Sequence, residues 1–290
     1  MLASLTHTLI HAFGALPLGL ARSIGATLSL PARWTRSRAW HTTKTNIDVC
    51  LPELSENERA SLVNDSLNET GKLGLEMCAV WTRDEQWLSR HIRNVHGDEK
   101  VRESLASQKG LVILAPHLGN WEVLGKFLPR YAPITSLYQP PKQAALEPII
   151  KGARESSGAT LVPTSQRGVA LLLKHLKKGG ITGILPDQVP AQGSGVFADF
   201  FGHSAYTMTL VHGLLRRTEA AVLVGVALRC DEGFDIHFLP VSDAIYDEDS
   251  EKSCAAMNAA IEDAVRLAPE QYQWEYKRFR RSPGNLYARD

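Results

Sequence analysis

Cysteine is scarce in this chain: Cys50, Cys78, Cys230 and Cys254 are the only four among 290 residues, and no two form a C-x-x-C pair. That spacing supports neither a disulfide framework nor a zinc site, and a reducing, cytosolic setting fits best. A surplus of one charge is also lacking. The net charge is +1, which removes any global electrostatic argument for a nucleic-acid partner. There is no G-x-x-x-x-G-K-[ST] loop and no complete G-x-G-x-x-G turn, so the nucleotide-binding signatures are missing. The serine-hydrolase elbow G-x-S-x-G is missing too, since Gly202-His203-Ser204-Ala205-Tyr206 does not make one. Neither a zinc-protease motif, an internal repeat nor a low-complexity tract is present. With 44% hydrophobic and 22% charged residues, the chain has the composition of an ordinary globular protein and the length to bury a sizeable core.

Charge is also absent locally. Between Met1 and Ala21 there is no Asp, Glu, Lys or Arg; Arg22, Arg33, Arg36, Arg38 and Lys44 then precede the first acid, Asp48. Roughly 20 apolar residues can cross a bilayer, but this stretch contains His7, His11, Pro17 and several glycines. Three readings stand open. The stretch is a marginal transmembrane helix with a cytoplasmic basic flank, an amphipathic segment lying among headgroups, or a helix packed on the protein's own core. A cleaved signal peptide fits poorly, because the positive charges follow the apolar residues. The reading adopted is contact with a membrane surface. Residues 1–45 are then a membrane-associating segment and residues 46–290 a catalytic domain.

Within that domain, Ser55-Glu56-Asn57-Glu58 reads as a capping box opening a helix toward Trp81, with helical character continuing to about Glu99. The pattern changes at Leu111-Val112-Ile113-Leu114-Ala115, a continuous apolar run that reads as a buried strand. Further strands are expected at Ile134 to Tyr138, Thr160 to Val162, Ile181 to Leu185, Ala221 to Leu228 and Phe234 to Leu239. Helices are expected between them, at Glu122 to Tyr131, Gln143 to Ser156, Gly168 to Lys178, Thr207 to Arg217 and Lys252 to Leu267. This alternation predicts an α/β fold with a largely parallel central sheet flanked by helices, placing ligands at the strand ends.

The first strand empties into Pro116-His117-Leu118-Gly119-Asn120-Trp121-Glu122. A five-residue step on one helix turns about 500°, so His117 and Glu122 would not face each other on a continuous helix. They can meet if His117 lies in the loop, Asn120 caps the next helix and Glu122 sits in its first turn. The carboxylate would then hold one imidazole nitrogen and leave the other as a base. An imidazole, with a reference pKa of about 6.5, suits proton abstraction at neutral pH. The amides of Leu118, Gly119 and Asn120 are candidate oxyanion donors. A histidine five residues from an acid is common by chance. What singles out His117 is its place at the mouth of the most strand-like run in the chain.

His117-x-x-x-x-Glu122 resembles the H-x4-D/E signature of the glycerolipid acyltransferase superfamily, and the wider sequence is similar to the late lipid A acyltransferases, the lauroyl/myristoyl transferase branch. Asn46-Ile47-Asp48-Val49-Cys50-Leu51-Pro52-Glu53-Leu54 is similar to that branch's N-L-x-x-C-F-P-E-L segment. Ile184-Leu185-Pro186-Asp187-Gln188 and Gly195-Val196-Phe197-Ala198-Asp199-Phe200-Phe201-Gly202 resemble its PDQ and G-V-F-V-x-F-F-G blocks. Gln271-Tyr272-Gln273-Trp274-Glu275-Tyr276-Lys277-Arg278-Phe279 resembles its Q-Y-x-W-x-H-R-R-F helix, with Tyr276 where the branch often has His. The landmarks run in the expected order from about residue 46 to 284. The resemblance implies a glycerol-3-phosphate acyltransferase-like fold and an enzyme at the cytoplasmic face of a bacterial inner membrane. Its partners would be acyl carrier protein, a lipid acceptor (a lipid A precursor by default) and the membrane surface. The co-substrate would be an acyl thioester, with no cofactor and no metal. His117 would deprotonate the acceptor hydroxyl and Glu122 would orient the imidazolium, with no acyl-enzyme formed.

Supporting residues follow. Tyr138, Lys142 and Arg154 lie in a stretch resembling the branch's acceptor-binding block, where cations would pair with a phosphate; a solvated loop and helix face is the plainer account. Asp187 and Gln188 end a strand beside His117 and are expected to hold Arg154 or the acceptor, against simple turn chemistry. Arg167, at the next helix start, is a lesser candidate for either job. Phe197, Phe200 and Phe201 line either an acyl-chain tunnel or the core. Lys277, Arg278, Arg280 and Arg281 form a basic patch for anionic headgroups or a carrier protein, or a solvated face. The rival functions are transfer to a lysophospholipid, aminolipid or other glycolipid, thioester or lipid-ester hydrolysis, and non-catalytic lipid binding.

Overall fold

The computed structural model describes residues 2–284, 286 and 287; Met1 and residues 288–290, the outer ends of the two expected segments, lie outside the described residues. Four helices open the chain: α1 (Leu2–Gly14), α2 (Leu18–Trp34), α3 (Arg38–Cys50) and α4 (Glu56–Thr82). After α5 (Glu85–His91) come β1 (Ile92–His96), α6 (Asp98–Ala106), β2 (Leu111–Leu114), α7 (Trp121–Phe127) and β3 (Ile134–Tyr138). The chain continues through α8 (Glu147–Ser156), β4 (Ala159–Pro163), α9 (Gln166–Leu176) and β5 (Ile181–Ile184). A hairpin, β6 (Gly195–Phe200) and β7 (His203–Met208), precedes α10 (Leu210–Leu215), β8 (Ala221–Cys230), β9 (Gly233–Pro240) and α11 (Ser250–Val265).

Seven strands form the central sheet in the order β1-β9-β8-β2-β5-β3-β4. The strands from β8 to β4 are parallel; β9 runs against β8, and β1 runs parallel to β9. The fold is therefore α/β with a mostly parallel sheet, as expected. Its centre is β2, buried on both faces because its four apolar side chains alternate between two layers. Val112 and Leu114 pack with Leu172 of α9, Leu214 of α10 and Ile261 of α11. Leu111 and Ile113 pack with Leu88 of α5, Val101 of α6 and Leu124 of α7.

Four expectations on the elements need correction. Residues 272–279 are not helical: Tyr272 bridges Leu118 and the chain continues in turns. Helical character does not persist to Glu99, because Ile92–His96 pairs in parallel with β9 as an edge strand. Only two of its five residues are even half-buried, so it lacks the apolar run that marks the central strands. Thr207 does not open a helix either: β7 runs to Met208, and only Leu210–Leu215 is helical. The basic patch is broken at Arg278, which is buried and donates to Tyr206 O and Thr207 Oγ1, both at 2.7 Å.

Among the described residues no helix is long and apolar enough to cross a membrane. The N-terminal apolar stretch is divided, since α1 stops at Gly14 and Pro17 caps the start of α2. Its buried stripe, Leu18, Ala21, Arg22, Gly25 and Ser29, recurs at helical spacing and lies along α4. The two helices cross at Gly25 and Gly71; a Cβ on Gly25 would stand 2.4 Å from Gly71 O. Only glycine permits so close an approach of backbones. The remaining faces of α1 and α2 leave Leu5, Leu9, Leu20, Leu28 and Trp34 exposed, Trp34 at 78%.

Candidate active site

The loop after β2 is held from both sides. Gly119 turns it with φ +63°, and a Cβ there would meet Ala227 O at 2.1 Å. Glycine is thus required both for the conformation and for the contact. Leu118 N donates to Pro116 O (2.7 Å), Gly119 N to Gln271 O (3.1 Å) and Asn120 N to Ala227 O (2.8 Å). These are the three amides expected to greet an oxyanion. All three are committed to the backbone, so that expectation is corrected.

His117 projects from this loop with 13% of its side chain exposed. Its amide donates to Asp187 Oδ2 and its Nδ1 lies against Asp187 Oδ1, both at 2.8 Å. The sheet register explains the meeting. β2 and β5 are parallel neighbours with Leu114 opposite Ile184, and His117 and Asp187 each lie three residues beyond those ends. Asp187 is 2% exposed. Burial pushes its carboxyl up, but the His117 charge and hydrogen bonds from the His117 ring, the His117 amide and its own amide outweigh burial and hold it below the usual carboxylate value. An ionised acceptor at Nδ1 fixes that nitrogen as the N–H, leaving Nε2 with its lone pair. Gln188 Nε2 approaches it at 3.2 Å, and the Trp121 ring stands edge-on to the imidazole at 4.7 Å.

Glu122 does lie in the first turn of α7, behind an Asn120 cap that accepts from Val123 N at 3.2 Å. Its carboxylate, however, does not hold the imidazole. Arg154 takes both oxygens, Nε to Oε2 at 3.1 Å and Nη2 to Oε1. A guanidinium matches a carboxylate in this two-pronged way better than an imidazole whose Nδ1 is already engaged. The expected partners are thus exchanged: Asp187 orients His117, and Glu122 rather than Asp187 holds Arg154. Burial lowers the Arg154 pKa, but its hydrogen bond and charge contact with Glu122 outweigh this and raise it.

The other predicted residues separate. Tyr138 ends β3 with its ring beneath the Arg154 guanidinium at 5.7 Å; its hydroxyl is buried without a hydrogen-bond partner among the described residues, and burial raises its pKa. Lys142 is exposed on the following loop and forms no ion pair among the described residues. Arg167 is exposed too. Asn120 is fully buried, with its Nδ2 donating to Glu76 Oε2 at 3.2 Å, so it supports the loop and offers a substrate no surface.

Beside the Glu122–Arg154 pair opens a narrow cavity of about 80 Å³ between α7, α8 and the sheet. Trp121, Leu124, Leu137, Leu161 and Leu185 give it a largely apolar wall. Of the two readings of the aromatic cluster, core or acyl-chain tunnel, the core is found for two of its three rings. Phe200 and Phe201 pack in the core with Trp274 and Phe279, while Phe197 is exposed.

Other contributors give no local signal in the sequence. Glu76 of α4 is completely buried, yet accepts from Arg22 Nε (2.6 Å), Arg229 Nε (2.8 Å) and Asn120 Nδ2. Arg229 Nη2 reaches Gly119 O at 3.1 Å. This network ties α2, α4 and β8 to the loop bearing His117. Glu275 Oε2 is buried without a hydrogen-bond partner among the described residues, and burial raises this carboxyl's pKa despite hydrogen bonds to the group and the nearby His117. Only the side-chain type suggests these residues, since each partner is distant along the chain.

A family model for bacterial lipid A biosynthesis acyltransferases matches residues 1–281. The chain is 26% identical over 247 residues to the lipid A biosynthesis lauroyltransferase of Escherichia coli K12, covering 84% of this chain and 80% of that one. It is 25% identical over 276 residues to the palmitoleoyltransferase of the same organism, covering 92% and 87%. To the myristoyltransferase it is 21% identical over 245 residues, covering 83% and 75%. The landmarks quoted from the sequence, the strand-mouth histidine and a match across almost the whole length agree: the chain belongs to the bacterial lipid A biosynthesis acyltransferase family.

Proposed function

We propose that this acyltransferase moves a fatty acyl group from an acyl thioester, carried by acyl carrier protein, to a hydroxyl of a lipid A precursor at the cytoplasmic face of the inner membrane. The observation that carries the reading is the imidazole of His117, 13% exposed and gripped at Nδ1 by buried Asp187, with its ring against Trp121, which also lines the narrow apolar cavity. Nε2 takes the proton of the acceptor hydroxyl as its oxygen attacks the thioester carbonyl. The tetrahedral intermediate collapses by breaking the C–S bond, and the imidazolium returns its proton to the departing sulfur. The products are an ester and a thiol, with no acyl-enzyme and no metal required. Asp187 stabilises the transient imidazolium without taking its proton. The Gln188 amide occupies the position an incoming hydroxyl needs, so acceptor binding displaces it. Arg154, set by Glu122 at the cavity mouth, is placed to meet a phosphate of the lipid or of the carrier's prosthetic arm.

Exposed Leu5, Leu9, Leu20, Leu28 and Trp34 on α1 and α2 support attachment by partial insertion among headgroups. The decisive experiment compares wild type with His117→Ala, using acyl carrier protein thioester with and without lipid A precursor and reading products by mass spectrometry. A loss of transfer of at least about 100-fold is expected, the lower end of general-base contributions. Undiminished transfer by the folded variant would remove His117 from the mechanism. Thiol release without lipid acylation in wild type would instead mark a hydrolase.

A further inference from the structure

Away from the candidate active site, the outer edge of the sheet carries a second cluster of chemically competent side chains. β1 and β9 run parallel in a register that sets His96 beside His237 and Asn94 beside Asp235. Paired residues in a sheet share a face, as do residues two apart on one strand. All four side chains therefore stand on one side, opposite Ile236 and Phe238, which are buried in the layer beneath. The His96 and His237 rings stack with centroids 4.4 Å apart. One ligand atom from each of His96, Asp235 and His237 lies within 4.8 Å of the others, and no other trio of His, Cys, Asp or Glu does so among the described residues.

We propose that His96, Asp235 and His237 form a binding site for a divalent transition-metal cation of the zinc type, clasping the edge strand β1 to β9. Two imidazoles and one carboxylate are a donor set that suits zinc, cobalt or nickel and leaves a fourth position for water. Bonds of about 2.0–2.2 Å around a tetrahedral ion require donor atoms roughly 3.3 Å apart. The trio needs only rotamer adjustment to reach this, and His96 is exposed and has room to make it. A supporting layer is already built. The Asn94 amide N–H and its Nδ2 both donate to Asp235 Oδ1, at 3.1 and 2.8 Å, which fixes the carboxylate and leaves Oδ2 for the ion. The site is independent of acyl transfer, since neither His117 nor Asp187 takes part.

The test uses the full chain, purified without a polyhistidine tag and stripped with chelator. It is titrated with cobalt(II), followed by visible absorption, and with zinc against a chromophoric chelator. One equivalent should bind with a dissociation constant tighter than about 100 µM. His96→Gln and His237→Gln should each weaken it at least tenfold, and Asn94→Ala by about tenfold. His11→Gln is the control, because His7 and His11 also stack, at 4.3 Å, but are joined by no third His, Cys, Asp or Glu close enough to share an ion among the described residues. It should leave binding unchanged. Binding weaker than about 100 µM overturns the proposal, as does binding that both His96→Gln and His237→Gln retain while circular dichroism shows them folded.

Discussion

A carboxylate that is 2% exposed and still held below its usual pKa is a demanding arrangement, and it makes Asp187 the most informative residue to alter. Asp187→Asn preserves shape but removes the charge that fixes Nδ1 as the donor. The expected loss in acyl-transfer rate is about 10²–10⁴-fold, with little change in the apparent affinity for the thioester. The same residue predicts an acid limb of stability. Because folding lowers its pKa, Asp187 contributes stability that is fully present above the unfolded value of about 3.9 and is lost as pH falls through the lower folded value. Urea unfolding of wild type and Asp187→Asn should show a difference at pH 5 that shrinks as pH falls below about 4. A difference that grows on acidification below about pH 4 would contradict the assignment. His117 was legible in the sequence from its place after an apolar strand. Its partner was not, because Glu122 is close in sequence while Asp187 is close only once β2 and β5 lie in register. The equal offset of both residues beyond their strand ends is the signal that a sequence reader could exploit.

At the scale of elements, apolar continuity decided what was readable. β2 and most of β8 are runs of hydrophobic residues, β3 and β5 are shorter apolar stretches interrupted by Thr, Ser or Gly, and Ile134–Tyr138 has the bounds expected from sequence alone. β1 is polar because it lies at the sheet edge, and the β6–β7 hairpin hides beneath aromatic residues whose periodicity speaks for core rather than strand. No local pattern foretells Glu76, although it organises four elements. Its carboxylate compensates two guanidiniums, Arg22 at 10% and Arg229 at 5% side-chain exposure. Glu76→Ala would leave Arg22 buried without its carboxylate and Arg229 with only the longer Glu69 contact at 3.4 Å, at a cost of about 3–5 kcal/mol. Chemical denaturation should register that loss. A cost under about 1 kcal/mol would mean that the pairs are screened as surface pairs are.

For the molecule as a whole, the question is how a protein without a spanning helix among its described residues reaches a lipid. The sequence foresaw an apolar N-terminus but left its mode open, because hydropathy does not distinguish a stripe facing α4 from one facing lipid. The structure divides the two: the glycine-lined side crosses α4, and Leu20 and Leu28 look outward, Leu28 at 64% exposure. Flotation with anionic vesicles should therefore recover the wild-type protein, and Leu20→Ser with Leu28→Ser should reduce recovery severalfold without altering the thermal midpoint. Equal recovery would place the membrane contact elsewhere.

The reach of Arg22 into Glu76 has a practical corollary. Anyone trimming the greasy N-terminal helices to obtain a better-behaved protein would cut away one of the two counter-ions of a carboxylate that has no access to water, and would lay bare Gly71 on α4. What resembles a detachable tether is a wedge driven into the frame behind the histidine loop, so a shortened chain should fail by unfolding before it fails by losing its lipid.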